Sequence, residues 1–266
     1  MGIGDEIMAS GHAFAEYQRT GKRVQILDLH GKPRADAMWH GLRWIAEPHE
    51  RGDFATIKNG PQCRPYVQYP FTREGGQRWT SWRARDHVGS IALTGSEQIF
   101  ARAAVGALGS FYVIEPTLDP KSNPNKQWGA ANWVELARLM LDDGLRVVQM
   151  GPHPVRIAPG VKYVRTRSFR QAASVLARAA GAVLPEGGLH HAAAALGVPA
   201  VVLFGGHIGP DTTGYPGHVN LADQGDGSPC GRWERCRHCA DIWARLSPAG
   251  VYAALAGLAI NLRAAE

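Results

Sequence analysis

The stretch AVLPEGGLHHAAAALGVPAVVLFGG, residues 182–206, contains the pattern that decides the fold of this chain. A short apolar run at 182–184 is followed by a turn with two glycines, a helical segment at 189–196 and a second apolar run at 200–204. Short apolar runs bounded by glycine and proline are typical of buried strands. This spacing therefore predicts two parallel strands joined by a right-handed crossover through one helix.

The same alternation extends on both sides of this stretch. Towards the N-terminus, the sequence predicts strands at 111–114, from 147 and at 161–164, a loop at 117–128, and helices at 131–143 and 169–180. Towards the C-terminus, one more helix is predicted from Pro248, with Val251, Leu255, Leu258 and Leu262 on one face. Strands and helices in this order are expected to fold as a Rossmann-like domain.

The first ~100 residues, a length typical of one small domain, carry a weaker pattern of apolar residues. We predict a helix at 5–18, a strand at 24–29, a short helix at 38–45, a strand at 66–69 and an irregular surface at 73–87. The boundary between the two parts is expected at 106–109, where glycines cluster.

Composition restricts the class of protein more than its function. Apolar residues make up 45% and charged residues 20%, as in an ordinary globular protein. No apolar run reaches the ~18 residues that a bilayer span needs, and no signal pattern is present, so we expect a cytoplasmic protein. The net charge of +6 favours anionic partners such as nucleotides, phosphorylated glycans, nucleic acid or a membrane surface.

Two predicted turns at one edge of the sheet carry the candidate ligand chemistry. Glu186-Gly187-Gly188 follows a strand and opens a helix, where free backbone N–H groups form an anion site. Lys126 lies in another loop between a strand and a helix, and its ammonium group suits a diphosphate. Because the carboxyl ends of parallel strands meet at one sheet edge, both turns are expected at one ligand. An ordinary tight turn and a solvated surface lysine are the structural alternatives.

Three segments, at 125–129, 168–180 and 186–205, resemble glycosyltransferase family 9, the heptosyltransferases. That family writes its turn and helix as Asp-Thr-Gly-x-x-His-x-x-Ala-Ala-Leu-Gly. Here Glu186 and Gly187 replace the Asp and Thr, which lengthens the carboxylate arm and removes a hydroxyl. The resemblance implies an α/β fold of GT-B type, with two Rossmann-like domains that face each other across a cleft.

The resemblance also implies the domain organisation. We assign an acceptor-side domain to residues 1–108, a donor-binding domain to 109–247, and to 248–266 a helix that packs back across both domains. The N-terminal domain is expected to be reduced, since it is short for the family and the strand that normally precedes its first helix has no room before Met1.

The start of the chain, Gly2-Ile3-Gly4-Asp5, is similar to the Gly-x-Gly-Asp loop of the family. By this resemblance Asp5 is the general base that removes the proton of the acceptor hydroxyl. An aspartate that only favours the helix start through the dipole is the alternative. The residues that we assign to donor binding are Lys126, Met150, Gly151, Ser168, Glu186, Gly187, Gly188, Leu189 and His191. Those that we assign to the acceptor side are Gly4, Arg83, Tyr215 and His218.

Two further features are open to two interpretations. Cys230, Cys236 and Cys239 have a spacing that suits a zinc site, with Cys63 or His238 as a fourth ligand, but an ordinary cysteine-bearing loop has the same sequence. We therefore assign no metal ligand and no cofactor. The segment at 78–85 interleaves Trp and Arg, which suits nucleic acid or a phosphorylated glycan, whereas tryptophans packed in a small core are the structural alternative.

The resemblance thus implies a metal-independent inverting glycosyltransferase. It would move a sugar from a nucleoside-diphosphate sugar resembling ADP-heptose to a hydroxyl acceptor, such as a glycan of the lipopolysaccharide core. A glycosyltransferase that acts on modified DNA, a non-catalytic nucleotide-sugar binding module and an epimerase of similar fold are the alternatives. Peripheral contact with a membrane is left open as well.

Overall fold

Within the described residues, the first part of the chain builds two α-helices and two small pairs of strands. The computed structural model describes residues 1–71, 76–116, 123–152, 157–223 and 225–264. Strands β1 and β2 pair in parallel, and β3 and β4 form an antiparallel ribbon. The elements are α1 (Ile3–Thr20), β1 (Val24–Leu27), β2 (Ala55–Lys58), β3 (Val67–Gln68), β4 (Arg78–Trp79) and α2 (Gly95–Val105).

The first helix has clear physical boundaries. Asp5 and Glu6 lie in its first turn, where the positive end of the helix dipole favours carboxylates. Gly21 ends the helix with a φ of 68°, a left-handed conformation that glycine adopts at little cost. Ile7 and Ala13 are fully buried. The helix therefore has a fixed start and a fixed inner face, which places Asp5 reproducibly.

The second part of the chain forms a six-stranded parallel sheet with helices on both faces. The strand order is β10-β9-β8-β5-β6-β7, and every pair of neighbouring strands is parallel. Its strands are β5 (Tyr112–Ile114), β6 (Val147–Gly151), β7 (Lys162–Arg165), β8 (Gly181–Pro185), β9 (Ala200–Phe204) and β10 (His218–Ala222). Its helices are α3 (Ala130–Asp142), α4 (Phe169–Leu176), α5 (Gly188–Ala195), α6 (Pro210–Thr213), α7 (Arg237–Arg245) and α8 (Pro248–Ala264).

Alternate residues of the central strands supply two different cores. Leu184 and Val202 belong to a core shared with α4, α5 and the first part of the chain, whereas Val183 and Val201 face a core with α3 and α8. Every residue of β8 and β9 is buried, as expected for parallel strands that are covered on both faces. The predicted α/β fold with a parallel sheet is confirmed.

The first part of the chain packs directly on one face of this sheet. Helix α1 lies against α5, and α2 lies against α4. Ile7 of α1 and Val113 of β5 belong to the same apolar core. Residues 1–108 therefore share a core with the six-stranded sheet, while the division into domains at 108 stays a prediction.

Several sequence predictions need correction. The expected helix at 38–45 is only a short 3-10 turn, Ala37–Trp39, because Gly41 adopts a φ of 82° and ends any helical continuation. Within the described residues, the parallel sheet of the first part has only β1 and β2, so that domain is reduced further than expected. Parts of two predicted segments, 73–75 and 117–122, lie outside the described residues.

The C-terminal helix covers one face of the six-stranded sheet. Helix α8 packs on α3 and on strands β8, β9 and β10, with Val251 and Leu255 buried, while its packing back across both predicted domains stays a prediction. The side chain of Leu262 lies outside the described residues. No described helix is both long enough and apolar enough to cross a bilayer.

Candidate active site

A cleft of about 1190 Å³ lies where the strand ends of the six-stranded sheet meet the start of α1. Glu115, Lys126 and Glu186 line it from the sheet, and Asp5 lines it from α1. The antiparallel ribbon closes one side, since Trp79 Nε1 donates to the carbonyl of His207 at 3.3 Å. The two parts of the chain thus enclose a cavity that combines charged groups with apolar walls, at the edge where α/β proteins bind their ligands.

Lys126 and Glu186 form an ion pair on the sheet side of this cleft. Lys126 lies in a short 3-10 turn, Pro124–Lys126, which we call the Lys126 turn with its flanking Asn123. Asn123 fixes the turn, because its Oδ1 accepts from the backbone N–H of Asn125 at 2.9 Å. The Lys126 side chain keeps 24% of its surface exposed, whereas Glu186 keeps 6%. Lys126 therefore presents a positioned cation to the cavity.

The backbone at Gly187 and Gly188 adjoins this ion pair, because Glu186 ends β8 and Gly188 begins α5. The first N–H groups of a helix have no partner within it, so this turn offers amide donors to an anion. A side chain at Gly188 would place its Cβ 2.9 Å from the Phe169 ring. Glycine therefore allows close approach here, and the two predicted turns do converge on one cavity.

The carboxyl of Glu186 is charged although it is buried. Burial alone would raise the pKa of Glu186, but Lys126, His191 and His190 hold that pKa well below its usual range. Thr213 Oγ1 donates a further hydrogen bond to its Oε1 at 3.4 Å. Glu186 is thus an acceptor-only group at neutral pH, suited to receive hydrogen bonds from hydroxyls.

His191 is held in place by a buried tyrosine. Its Nδ1 lies 2.7 Å from the Tyr215 hydroxyl, and its Nε2 lies 3.8 Å from Glu186 Oε1. Burial raises the pKa of Tyr215, so its hydroxyl stays protonated. His190 is fully buried among aromatic rings, and burial holds its pKa well below the usual range, which keeps it neutral. Of the two neighbouring histidines, His191 lines the cleft and His190 is part of the core.

Glu186, His190 and His191 also bring ligand atoms within 4.8 Å of one another. However, the ammonium group of Lys126 already pairs with Glu186, and a cation placed there would be repelled by it. The arrangement therefore favours an anionic ligand over a metal ion at this position.

Asp5 lies on the opposite side of the cleft, on the first turn of α1. Its Oδ2 accepts from the backbone N–H of Gly2 at 3.0 Å, and its Oδ1 lies 3.4 Å from Arg64 Nη1. Arg64 is also held by the Tyr69 hydroxyl, to which its Nε donates at 2.7 Å. The Asp5 side chain is 12% exposed, so it is a carboxylate with a fixed orientation at the cavity wall.

A direct contact joins the two sides. A Cβ added at Gly4 would lie 2.5 Å from the Cδ2 atom of His191. The absence of a side chain at Gly4 thus lets the start of α1 pack on the His191 ring, in agreement with the packing of α1 on α5. The position of Asp5 relative to Glu186 depends on this contact.

Sequence reasoning missed two ionisable residues of the cleft, Arg64 and Glu115. Arg64 gave no signal, since a single arginine in a loop resembles any surface arginine. Glu115 directly follows β5, and burial raises its pKa to about 8, so it is largely protonated at neutral pH. Its Oε2 has no hydrogen-bond partner among the described residues. The position of Glu115 at a strand end was the available signal, because the same rule identified Glu186.

Several predicted residues do not line the cleft. Tyr215 and His218 are buried and do not line the cleft: Tyr215 packs on the His191 ring and belongs to a small core with Met8 and Tyr66, and the assignment of both residues to the acceptor side stays a prediction. Arg83 is exposed and lies outside the lining. Of the donor-side predictions, Ser168 caps α4 through Gln171 N, Leu189 is a core residue, and Met150 and Gly151 end β6 away from the lining.

The tryptophans at 78–85 are packed in a small core, which was the structural alternative to a ligand-binding surface. Trp79 and Trp82 pack on the Tyr66 ring, with centroids 6.3 and 4.9 Å apart, whereas Arg78 and Arg83 are exposed. These rings form a small core, and one of them, Trp79, reaches the cleft. The segment is therefore a wall of the cavity and not a row of stacking rings open to solvent.

Comparison with known proteins gives one family. Residues 85–223, more than half of the 266-residue chain, match the model of glycosyltransferase family 9 (heptosyltransferase). No curated protein sequence matched the chain.

Solved structures agree in fold. A family 9 glycosyltransferase from Veillonella parvula has a TM-score of 0.68 at 12% identity, over 98% of this chain and 95% of its own. The iron-containing dodecameric glycosyltransferase TibC from Escherichia coli has a TM-score of 0.65 at 13% identity, and the match covers 98% of this chain and 74% of TibC. The E. coli ADP-heptose LPS heptosyltransferase II has a TM-score of 0.51 at 19% identity, over 66% of this chain and 54% of its own. The chain thus spans about half the length of that last enzyme, and at these identities the likeness shows the fold alone.

Proposed function

Because the chain belongs to glycosyltransferase family 9 (heptosyltransferase), we propose that its cleft transfers a sugar from a nucleoside-diphosphate sugar to a hydroxyl acceptor. The observation that carries this proposal is the convergence of Lys126 and the Gly187-Gly188 turn on one cavity that Asp5 faces from the other side. A cation with backbone amides suits a diphosphate, and a separate carboxylate suits a base.

Lys126 and the start of α5 would hold the diphosphate of the donor. As the bond between the anomeric carbon and the phosphate oxygen breaks, negative charge grows on the leaving diphosphate. A preorganised ammonium group and amide donors stabilise such charge without a metal ion. The donor would be ADP-heptose or a close analogue, since the similar E. coli structure named above as heptosyltransferase II is an ADP-heptose LPS heptosyltransferase.

The ion pair between Lys126 and Glu186 makes these two side chains together nearly neutral. On donor binding, Lys126 would share its three N–H donors between Glu186 and the phosphate oxygens. Glu186 would then accept hydrogen bonds from sugar hydroxyls, for which its charged state is suited. The Glu side chain, in place of the Asp usual in the family, is longer by one methylene group.

Asp5 would act as the general base. The acceptor oxygen attacks the anomeric carbon from the face opposite the diphosphate, its proton passes to Asp5, and the diphosphate leaves with the electron pair of the broken bond. This single displacement inverts the anomeric configuration. Arg64 orients the carboxylate through Oδ1, which leaves the remaining lone pairs for the acceptor hydroxyl.

The acceptor would be a glycan, such as one of the lipopolysaccharide core. The wall beside Asp5 is aromatic, with Tyr66, Tyr69, Phe71 and Trp79 lining the cavity. Flat apolar rings combined with a few polar groups are typical of sites for small organic ligands, sugar rings among them. Arg64 adds a positive charge that suits an anionic or phosphorylated sugar.

A transfer assay tests the proposal. The purified chain is incubated with ADP-heptose and with heptose-deficient lipopolysaccharide, and released ADP and modified acceptor are both quantified. We expect acceptor-dependent ADP release with an inverted glycosidic linkage. Conversion of the nucleotide sugar without any acceptor would instead identify an epimerase, and donor binding without turnover on any acceptor would identify a binding module.

A further inference from the structure

Three cysteine thiols meet beside the Lys126 turn. Cys230 Sγ lies 3.3 Å from Cys239 Sγ and 3.9 Å from Cys236 Sγ, and all three cysteines are free. Together with one ring nitrogen of His238, their sulfur atoms lie within 4.8 Å of one another. They come from the segment 228–239, which we call the cysteine loop and which continues into α7.

These distances are close to those of a tetrahedral metal site. With metal–sulfur bonds of about 2.3 Å, a tetrahedron separates its sulfur atoms by about 3.8 Å, whereas a disulfide needs about 2.05 Å. The observed separations of 3.3 and 3.9 Å lie near the first value and far from the second. Three thiols with an imidazole form a ligand set that zinc and iron both accept in a tetrahedron.

His238 offers the fourth ligand atom of this group. Its Nε2 lies 3.1 Å from Ser228 Oγ, which fixes the ring, and its Nδ1 is buried without a hydrogen-bond partner among the described residues. A buried ring nitrogen without a partner is costly, and a metal ion would satisfy it. His207 is also near, since its ring hydrogen-bonds the Cys230 thiol and lies 3.2 Å from Asn123 Nδ2, but its nitrogens are not among the ligand atoms that come together with the three thiols.

We propose that Cys230, Cys236, Cys239 and His238 bind one structural zinc or iron ion that fixes the fold of the cysteine loop, which in turn holds the Lys126 turn through hydrogen bonds to Asn125. With four protein ligands the site is closed, which is typical of structural and not of catalytic ions. This proposal goes beyond the sugar transfer proposed above and does not depend on it. Cys63, the other ligand considered from the sequence, lies beside Gly60 and outside the cluster.

The effect on the cleft follows from the hydrogen bonds of Asn125. Its Nδ2 donates to the carbonyls of Arg232 and Glu234 at 2.9 and 2.7 Å, and its Oδ1 accepts from the backbone N–H of Cys236 at 3.1 Å. Asn125 directly precedes Lys126. Fixing the cysteine loop therefore fixes the backbone that carries the cation of the cleft.

Elemental analysis of the full chain tests the site directly. Wild-type protein and the variants C236S, H238A, H207A and C63S are purified without chelator, and zinc and iron per chain are measured by mass spectrometry. A cobalt-substituted sample is examined for the visible bands of a tetrahedral thiolate site. Circular dichroism checks that each variant is folded.

We expect about one zinc or iron ion per chain in wild type, C63S and H207A. In C236S and H238A the apparent affinity for Zn²⁺ should fall by ~10- to 100-fold or more. Wild-type protein that contains no metal, and that shows no thiolate bands with Co²⁺, would overturn the proposal even if the variants fail to fold. Full metal content in H238A together with its loss in H207A would overturn the assignment of the fourth ligand.

Discussion

Asp5 is the residue on which the proposed chemistry depends. The Asp5→Asn variant keeps the size of the side chain and removes its ability to take a proton. General bases contribute typically 10²- to 10⁴-fold, so we expect kcat to fall by about that factor, while donor affinity stays unchanged. Single-turnover transfer and calorimetric donor binding measure the two effects. Asp53→Asn, which changes an exposed carboxylate paired with Lys22, is the control. Transfer within about tenfold of wild type would exclude Asp5 as the base.

The buried carboxyl of Glu115 should make the free energy of unfolding depend on pH. Its pKa is about 8 in the native state, whereas an ordinary glutamate has 4.5, so the native state keeps a proton that the unfolded chain has lost. The free energy of unfolding contributed by this group is therefore largest below pH 4.5 and is lost as the pH rises to about 8. Relative to wild type, Glu115→Gln should gain on the order of 1–3 kcal/mol between pH 5 and pH 8.5.

Urea denaturation at both pH values measures this gain. Glu47→Gln changes an exposed carboxyl and should leave the pH dependence as in wild type. Parallel pH profiles for Glu115→Gln and wild type would show that the Glu115 carboxyl is ionised in the folded protein.

The contact between helices α1 and α5 is the most sensitive joint between elements. The Gly4→Ala variant would place a methyl group 2.5 Å from His191 Cδ2, and the ring cannot move freely because Tyr215 holds it. Overpacking of this kind costs on the order of 1–3 kcal/mol. We expect a lower melting temperature and a weaker donor affinity.

Gly257→Ala is the matched control, since nothing lies within 4 Å of its added Cβ and it sits inside helix α8. That variant should be neutral or more stable, because alanine favours a helix over glycine by about 1 kcal/mol. If Gly4→Ala is as stable as Gly257→Ala, then α1 does not pack on His191 as described.

Most strands and helices of the second part were predicted, because burial on both faces of the sheet produces continuous apolar runs, whereas β10, which is only partly buried after His218, was not. Strands such as Ala200–Phe204 are uninterrupted apolar runs that end at glycine, and the helices between them show regular apolar spacing. The first part lacks this signal. Its strand Arg78–Trp79 has two residues and an exposed arginine, and its pairing with Val67–Gln68 comes from tertiary contacts that local sequence does not encode. Helix α7 was missed for a related reason, because Arg237, Asp241 and Arg245 hide the buried Ile242 and Trp243.

At the scale of the whole molecule, a group of neutral buried histidines should make the fold sensitive to acid. Burial lowers the pKa of His218 to about 4 and holds that of His190 well below its usual range, whereas an ordinary histidine has 6.5. Between pH 6.5 and pH 4 these histidines are protonated in the unfolded chain but neutral in the native state. The free energy of unfolding therefore falls as the pH drops from 6.5 to 4. For His218 alone we expect a loss on the order of 1–3 kcal/mol.

Comparison of wild type with His218→Gln checks this loss, because the variant should retain more of its pH 7 stability at pH 4.5. The exposed His49, changed in the same way, serves as the control. An identical acid transition in His218→Gln and wild type would mean that His218 is accessible to protons in the folded state.

The cleft itself could be predicted only in part. Lys126 and Glu186 were found because both follow strands of one sheet, and a topological rule brings strand ends together. Arg64 contacts Asp5 from 59 residues away, and His207 contacts Asn123 from 84 residues away. Contacts at such separations depend on how the two parts of the chain pack, for which the sequence has no local pattern.

Calorimetric titration of ADP into the full chain tests the central claim most directly. We expect wild type and the control Lys162→Ala to bind alike, and Lys126→Ala to bind at least about tenfold more weakly, because a lost charge-assisted hydrogen bond costs about 1.5–3 kcal/mol. The double variant Lys126→Ala/Glu186→Gln removes the buried carboxylate left without its partner, and it should remain weaker than wild type. Equal affinity for ADP in wild type and in the double variant would contradict the assignment of Lys126 to the diphosphate.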